Sequence, residues 1–475
     1  GTWSPLKRVD DGWAFWTGIR SANSFLENYD PEVLKRFEYN EDYADMMAKV
    51  SKFSYEVRFL RAFYLFELAK RYGDIPLVTR TYTQEEINSI EKTPFVEVID
   101  YIAKECSEIA LELPADQSEV RNETGRVTKG AALALKSRAL LYAASALHNP
   151  DNDPTRWEAA AKAAYEVIAM GKYQLPKITA DELYSDKGGH EVLKSKQLIF
   201  ERRATGKTND FESRNEPMGY ESAEGGNTPT QNLVDAYELK DGTPFSWDNP
   251  VHVSNIYYDA EGKQTRDPRL YLNVLTNGAT WLKQKVETFE GGKNKILDGS
   301  TKTGYYLRKY MNPSVSLDPD KPNKLEHHYI LFRYAEILLN YAEAMNEWKG
   351  PDAMAEGCPL TAREALNQVR NSADMKAVTA TGTEFTEKVR NERRIELAFE
   401  GHRFYDIRRW KIAGTDKVRN IYGVKITGSD GSFSYEKVLL RQMYWDDKMY
   451  LFPYPQNEVY MNPNLTQNPG WVGDK

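Results

Sequence analysis

The stretch RNERRIELAFEGHRFYDIRRWK, residues 390–411, carries more structural information than any other in this 475-residue chain. Eleven of its twenty-two residues are formally charged, seven cations against four acids, yet Ile395, Leu397, Ala398, Phe399, Phe404, Ile407 and Trp410 lie among them. A solvated charge run is poor in aromatic and β-branched residues. The pattern predicts a helix, a break at Gly401 and a second turn, with Arg and Glu packed among hydrophobic side chains. Buried charges have to be paired, because a lone ion in a low-dielectric interior is too costly to keep. The segment is therefore an internal ion-pair brace or a chemical site.

Glu392, Glu396 and Glu400 stand at i, i+4 and i+8, which on one helix face puts neighbouring Cβ atoms about 6 Å apart. That separation is compatible with the acid and nucleophile of a glycosidase. The brace reading instead has Arg390, Arg393, Arg394 and Arg403 neutralising the three carboxylates, so that loss of Arg403 strands buried acids. Catalytic carboxylates need environments that drive their pKa values apart, and seven cations around four acids do not supply them. The brace is the expected reading, and no catalytic residue is assigned.

Upstream of this stretch the chain reads as helical pairs. Residues 11–29 carry Trp13, Trp16, Ile19, Phe25 and Leu26 at helical spacing. In residues 53–78, Phe59, Ala62, Phe63 and Phe66 fall at i, i+3, i+4, i+7, and Leu60, Tyr64 and Leu68 make a second stripe. A helix apolar on two faces packs against neighbours on both sides, as in a solenoid. Ala62, Phe66, Ala69 and Pro76 match the small–aromatic–small–Pro half of a tetratricopeptide repeat. Further helices are expected over 95–113, 127–147, 156–170, 329–348 and 361–372, giving four helical hairpins and a mostly α fold. Between 171 and 329 the chain is rich in Gly, Asn, Asp, Pro and Thr. It reads as irregular loops with short strands at 197–201 and 269–275. The tail after Gly414 reads the same way.

Composition narrows the function classes. The formal charge of −7 comes without a basic stripe, so nucleic acid is excluded as an expected partner. No run of about 18 apolar residues occurs, so no transmembrane helix is expected. Two cysteines, Cys106 and Cys358, are too few for a disulfide framework. His327 and His328 are adjacent and diverge, and the run Asp151–Asn152–Asp153 lacks the Gly and terminal Glu of a calcium loop; no metal and no cofactor are expected. The 30 Tyr and 10 Trp favour contacts in which an apolar ring and a polar tip are both used.

Several segments resemble the SusD/RagB nutrient-binding lipoproteins, in the order that family has them. They are FLRAFYLFELAKRYGDIPLV (59–78), NTPTQNLVDAYELKDGTPF (227–245), RDPRLYLNVLTNG (266–278), TGYYLRKY (303–310), FRYAEILLNYAEAMNE (332–347), LNQVRNSADM (366–375), the 390–411 stretch, and YLFPYPQNEVYMNPNLTQNPGW (450–471). The resemblance implies a single SusD-like domain over 1–475. Residues 11–171 and 329–372 form its tetratricopeptide-like scaffold, and 172–328 and 373–475 an irregular, ligand-binding and capping portion. It further implies a surface lipoprotein of an outer membrane that binds a glycan, or in some members a peptide, and performs no chemistry. Its partner would be a SusC-like TonB-dependent transporter over which it closes as a hinged lid. The family's acylated N-terminal Cys is not seen; the chain begins at Gly1, and the lipid anchor is expected outside it. A glycoside hydrolase using the three glutamates and a cytosolic repeat adaptor are the competing readings.

Sugar rings present an apolar face that a flat aromatic ring buries while polar groups take the hydroxyls. The candidate ligand-binding residues are therefore loop aromatics and their neighbours: Trp247 in GTPFSWDNP, Trp281 after TNGAT, Tyr220 with Arg214 and Asn215 in the loop over 214–227, and Trp3. Trp157, Trp348 and Trp410 fall on helical patterns and are expected in the core.

Overall fold

The computed structural model describes residues 3–10, 12–119, 125–184, 191–203, 206–295, 300–429 and 431–471. Gly1 and Asp11, which served to place the chain start and the first helix, lie outside these residues. Seven helices stack in order: α1 (Phe15–Asn28), α2 (Phe53–Tyr72), α3 (Phe95–Ile109), α4 (Lys129–Ala144), α5 (Pro154–Ala169), α6 (Tyr334–Lys349) and α7 (Ala362–Ser372), each packed on the next. Helix α2 buries Phe59, Ala62, Leu65, Phe66, Leu68 and Ala69 because it sits between α1 and α3. Helix α4 starts at an N-cap, Thr128, whose side chain accepts from the Ala131 amide, and its buried alanines let α3 and α5 approach closely. The fold is mostly α, as the sequence periodicity indicates.

The segment between α5 and α6 leaves and re-enters the stack at one place. Strand β1 (Leu198–Arg203) pairs antiparallel with β2 (His328–Arg333), and the Tyr334 amide donates to Gln197 O at 2.8 Å. The first five residues of the expected helix 329–348 are thus strand, and α6 begins at Tyr334. The strand expected over 269–275 is instead a helix, Pro268–Asn273, followed by two strand residues; Pro268 presets the first turn and the Asp267 carboxylate accepts from the Arg269 amide. The tail departs most from expectation. It holds the longest ladder, β3 (Asn420–Ser429) against β4 (Ser432–Gln442). Strand β3 is pinned to the body by Val424 N to Thr303 O and by Asn232, whose side chain bonds Asn420 O and the Tyr422 amide. Gly304 beside it has φ +87°, and a Cβ there would lie 2.6 Å from a Val424 methyl, so a side chain would force the strand away.

The 390–411 stretch is a brace, with partners other than those expected. Helix α8 (Gly382–Glu396) ends before Phe399, which has φ +65°, and α9 (Arg403–Arg409) follows Gly401 at φ +80°. Glu400 therefore lies beyond the helix and does not share its face. The carboxylates pair with cations from outside the stretch. Glu392 binds Arg269 and Arg370; Glu396 binds Arg269 (2.8 Å) and Arg333 (2.6 Å); Glu400 binds Arg333 (2.8 Å) and Lys309 (2.6 Å). The stretch's own cations point elsewhere: Arg393 and Arg409 share Asp406, Arg409 also holds Glu343, and Arg394 donates to Asn232 O. Arg403 makes no ion pair among the described residues, so it is not the keystone it was expected to be. Trp410 is buried and donates to Glu343 at 2.7 Å. Burial alone would raise the Glu396 carboxyl, but Arg333 and Arg269 outweigh it and hold it at about 2. Glu392 and Glu396 so join α8 to the inserted segment, to α7 and to β2, and Glu400 joins the turn after α8 to β2 and the inserted segment.

Candidate functional site

The brace positions a cavity. Lys309, held by Glu400 and the Ala398 carbonyl (2.9 Å), and Phe399, in the turn that follows α8, both line it. So do the β1–β2 ladder, through Arg202, His328 and Tyr329, and the chain around Tyr184 and Phe211. Its volume is about 460 Å³, within the range of small-ligand sites. Tyr310 and Tyr329 stack with ring centroids 6.0 Å apart and planes at 30°, and Phe211 meets Tyr310 edge-on. Tyr329 is 41% exposed, so the pair offers aromatic surface to a ligand. Tyr310 adopts φ +69°, a conformation a bulky residue holds only when its surroundings enforce it. Its hydroxyl is buried without a hydrogen-bond partner among the described residues, a polar atom that a ligand hydroxyl entering the cavity would satisfy.

The polar rim is fixed from behind. His327 Nε2 lies 3.0 Å from both Glu212 oxygens, and that hydrogen bond raises the imidazole above its usual range. His328 Nδ1 contacts Glu201. The two adjacent histidines thus each face a carboxylate. Glu212 Oε1 also accepts from the Asn312 amide at 2.9 Å. Glu216, the residue just past the short helix Asp210–Asn215 that carries Glu212, is pushed up to about 7, first by burial and then by the Glu212 charge.

The six loop residues singled out in the sequence do not line this cavity. Three stand in or against its wall. Trp281 is 3% exposed in a cluster with Leu275, Tyr306 and Met311, so its ring faces protein. Tyr220 packs on that cluster and donates to Trp281 O at 3.2 Å. Asn215 is buried, donates to Phe211 O and accepts from Asn227, a lining residue. Arg214 is exposed outside the cavity. Trp247 is half-buried elsewhere, edge-on to Phe245 with its indole N–H on Asp235 at 3.0 Å. Trp3 packs on Phe452 and Trp471 with Arg408 over its ring, far along the chain from the cavity lining. The residues that line the cavity, Tyr310 and Tyr329, belong to TGYYLRKY and HHYILF. Their short apolar context reads as scaffold, and only the adjacent His327–His328–Tyr329 marks that strand as unusual.

The protein is thus of a stacked-helix class whose inserted segment, with β2 and Phe399, encloses an aromatic cavity. The chain belongs to the SusD family: the model described as "SusD family" matches residues 196–471. A second model, described as "Starch-binding associating with outer membrane", matches residues 12–141. A SusD-like protein of Formosa agariphila is 24% identical over 86% of this chain and 70% of its own length. The structure is similar to that of a SusD-like protein from Bacteroides fragilis (29% identity, TM-score 0.79, 98% of this chain and 87% of that one). It is also similar to a SusD-like carbohydrate-binding protein from the same species (27% identity, TM-score 0.74, 96% and 85%).

Proposed function

We propose that the protein binds a glycan at the surface of an outer membrane and hands it to a SusC-like TonB-dependent transporter, over which it closes as a lid. An N-terminal lipid outside this chain would anchor it. The observation that carries the glycan reading is the Tyr310–Tyr329 stack in a cavity rimmed by Arg202, His327 and Asn312. Flat rings for the apolar sugar face and polar groups for its hydroxyls are what oligosaccharide binding needs. Support comes also from the description of the family model over 12–141 and from the carbohydrate-binding relative at 27% identity. Among the described residues no helix is long and apolar enough to cross a membrane.

The protein is proposed to bind and not to cleave. Glu392, Glu396 and Glu400 are buried and engaged by Arg or Lys, and Glu396 and Glu400 are held below the usual carboxylate range. Glu396 and Glu400 thus have no means of donating a proton near neutral pH, and all three are closed off from a substrate. In affinity electrophoresis against a panel of polysaccharides, Tyr329→Ala is expected to weaken the binding of a retained glycan by about 1–3 kcal/mol. Trp247→Ala serves as the comparison. Unchanged binding in Tyr329→Ala with loss in Trp247→Ala would move the site to the Phe245–Trp247 ledge.

A further inference from the structure

The cavity has a neighbour. A second one of about 660 Å³ lies on the other side of Leu272 and Arg308, which line both. One stretch of chain borders the pair: Ile178 and Thr179 line the second cavity, Leu183 and Tyr184 the first. The short ladder of Val274–Leu275 with Tyr306–Leu307 borders both as well, Val274 lining the second and Leu307 the first. Two cavities that share both borders form one trough crossed by a ridge. The ridge is fixed by protein. The Arg308 amide donates to Asn273 O at 3.0 Å, and Arg308 Nη1 donates to Tyr271 O at 3.0 Å. The Arg308 guanidinium also stands 6.0 Å from the Trp281 ring. Arg308 is thus a wall between the compartments.

The second compartment repeats the chemistry of the first. Two tyrosines line it, Tyr258 and Tyr271, with centroids 5.5 Å apart and planes at 43°. The Tyr271 hydroxyl accepts from the Thr265 and Arg266 amides at 3.2 Å and donates to Tyr257 O, which fixes its ring. The edge of the Tyr258 ring is kept clear by Gly278, at φ +81°, where a Cβ would stand 4.0 Å from the ring. The polar lining includes two hydroxyls and an amide, from Thr179, Thr280 and Gln264. All three residues are exposed, and their side chains hold no hydrogen bond among the described residues. Aromatic rings beside uncommitted neutral donors and acceptors suit a sugar ring and need no charge on it.

We infer that the second cavity is a stacking subsite for a further pyranose residue of the same glycan whose neighbour lies on Tyr310 and Tyr329, the chain crossing the ridge of Leu272 and Arg308. The inference rests on the glycan reading of the first cavity and adds to it a second platform and a length requirement. Tyr258 takes the apolar sugar face, and Gln264, Thr179 and Thr280 take hydroxyls. A chain long enough to reach both compartments gains, because the first ring delivers the second at high effective concentration.

Affinity electrophoresis against starch, xylan, galactomannan, arabinan and mixed-linkage β-glucan selects a retained polymer. Its partial hydrolysate, from the disaccharide to the octasaccharide, is then titrated calorimetrically. Wild-type affinity is expected to rise about tenfold or more at the length that spans both cavities. Tyr258→Ala should remove that step, leaving long members about tenfold weaker and short ones unchanged, while Tyr258→Phe keeps the ring and the step. Gln264→Ala, a change at an exposed side chain, should weaken long members about threefold. Tyr329→Ala should weaken every length. An affinity that levels off at the shortest retained member overturns the second subsite and leaves the glycan reading intact. So does wild-type affinity for the octasaccharide in Gln264→Ala, whether Tyr258→Ala is unchanged or loses binding at every length. Retention of none of the five polymers defeats both.

Discussion

Arg333→Ala is expected to lower the stability of the protein by about 3–5 kcal/mol, the scale for removing one partner of a buried ion pair. Arg333 is 1% exposed and makes five hydrogen bonds: two to the Glu400 carboxylate, one to Glu396 Oε1, one to the Glu396 carbonyl and one to Gln197. Removing it leaves two carboxylates facing each other in the interior with only Arg269 and Lys309 to hold them. It also frees the last residue of β2, where the inserted half rejoins the stack. Urea unfolding measures the loss. Adding Glu400→Gln and Lys309→Met to an Arg333→Met protein removes the ions left stranded, with Glu396 still held by Arg269, and should recover part of it. Arg403→Ala, lacking an ion pair to break, should lose much less. An Arg333→Ala protein as stable as wild type would mean that these charges are solvated.

Acid is expected to be nearly as damaging. Burial pushes the Glu343 and Glu396 carboxyls up, but Arg409 for the first and Arg333 with Arg269 for the second more than compensate and hold both at about 2 in the folded protein, against an ordinary 4.5. The folded pKa is the lower one, so the unfolded chain takes up the proton first as pH falls. The contribution is complete above about 4.5 and is lost progressively on the way down to about 2. It is on the order of 3 kcal/mol for each residue. The urea midpoint should therefore be flat on this account from pH 7 to about 5 and fall steeply below it. Glu396→Gln should start lower and show a shallower fall. A midpoint unchanged down to pH 3 would contradict the ion-pair geometry.

What the sequence made legible follows from range. The helices of the stack could be read because a 3.6-residue period is local and the two-sided apolar stripe of residues 59–68 states that neighbours lie on both sides. The brace could be read as a brace because charge among aromatics has to be paired wherever the partners are. Its partners could not: Arg333 is 67 residues upstream of Glu400, and Arg269 is 123 upstream of Glu392. The β3–β4 ladder was legible and missed: Asp430–Gly431 between two alternating runs is a strong hairpin signal, obscured by the polar composition of the tail. The cavity was out of reach for a different reason. Tyr310 and Tyr329 come together only because β1 and β2 close the inserted segment onto α6, and the exposed tryptophans that composition favours are packed on protein or tied to Asp235.

A glycan is proposed to occupy the cavity in which Tyr310 and Tyr329 stack. A crystal structure of the protein with a retained oligosaccharide tests it most directly. The expected result is a sugar ring lying on the exposed Tyr329 face, with a hydroxyl at the Tyr310 hydroxyl and the chain running past Arg308. An oligosaccharide bound elsewhere, with that cavity empty, would contradict it.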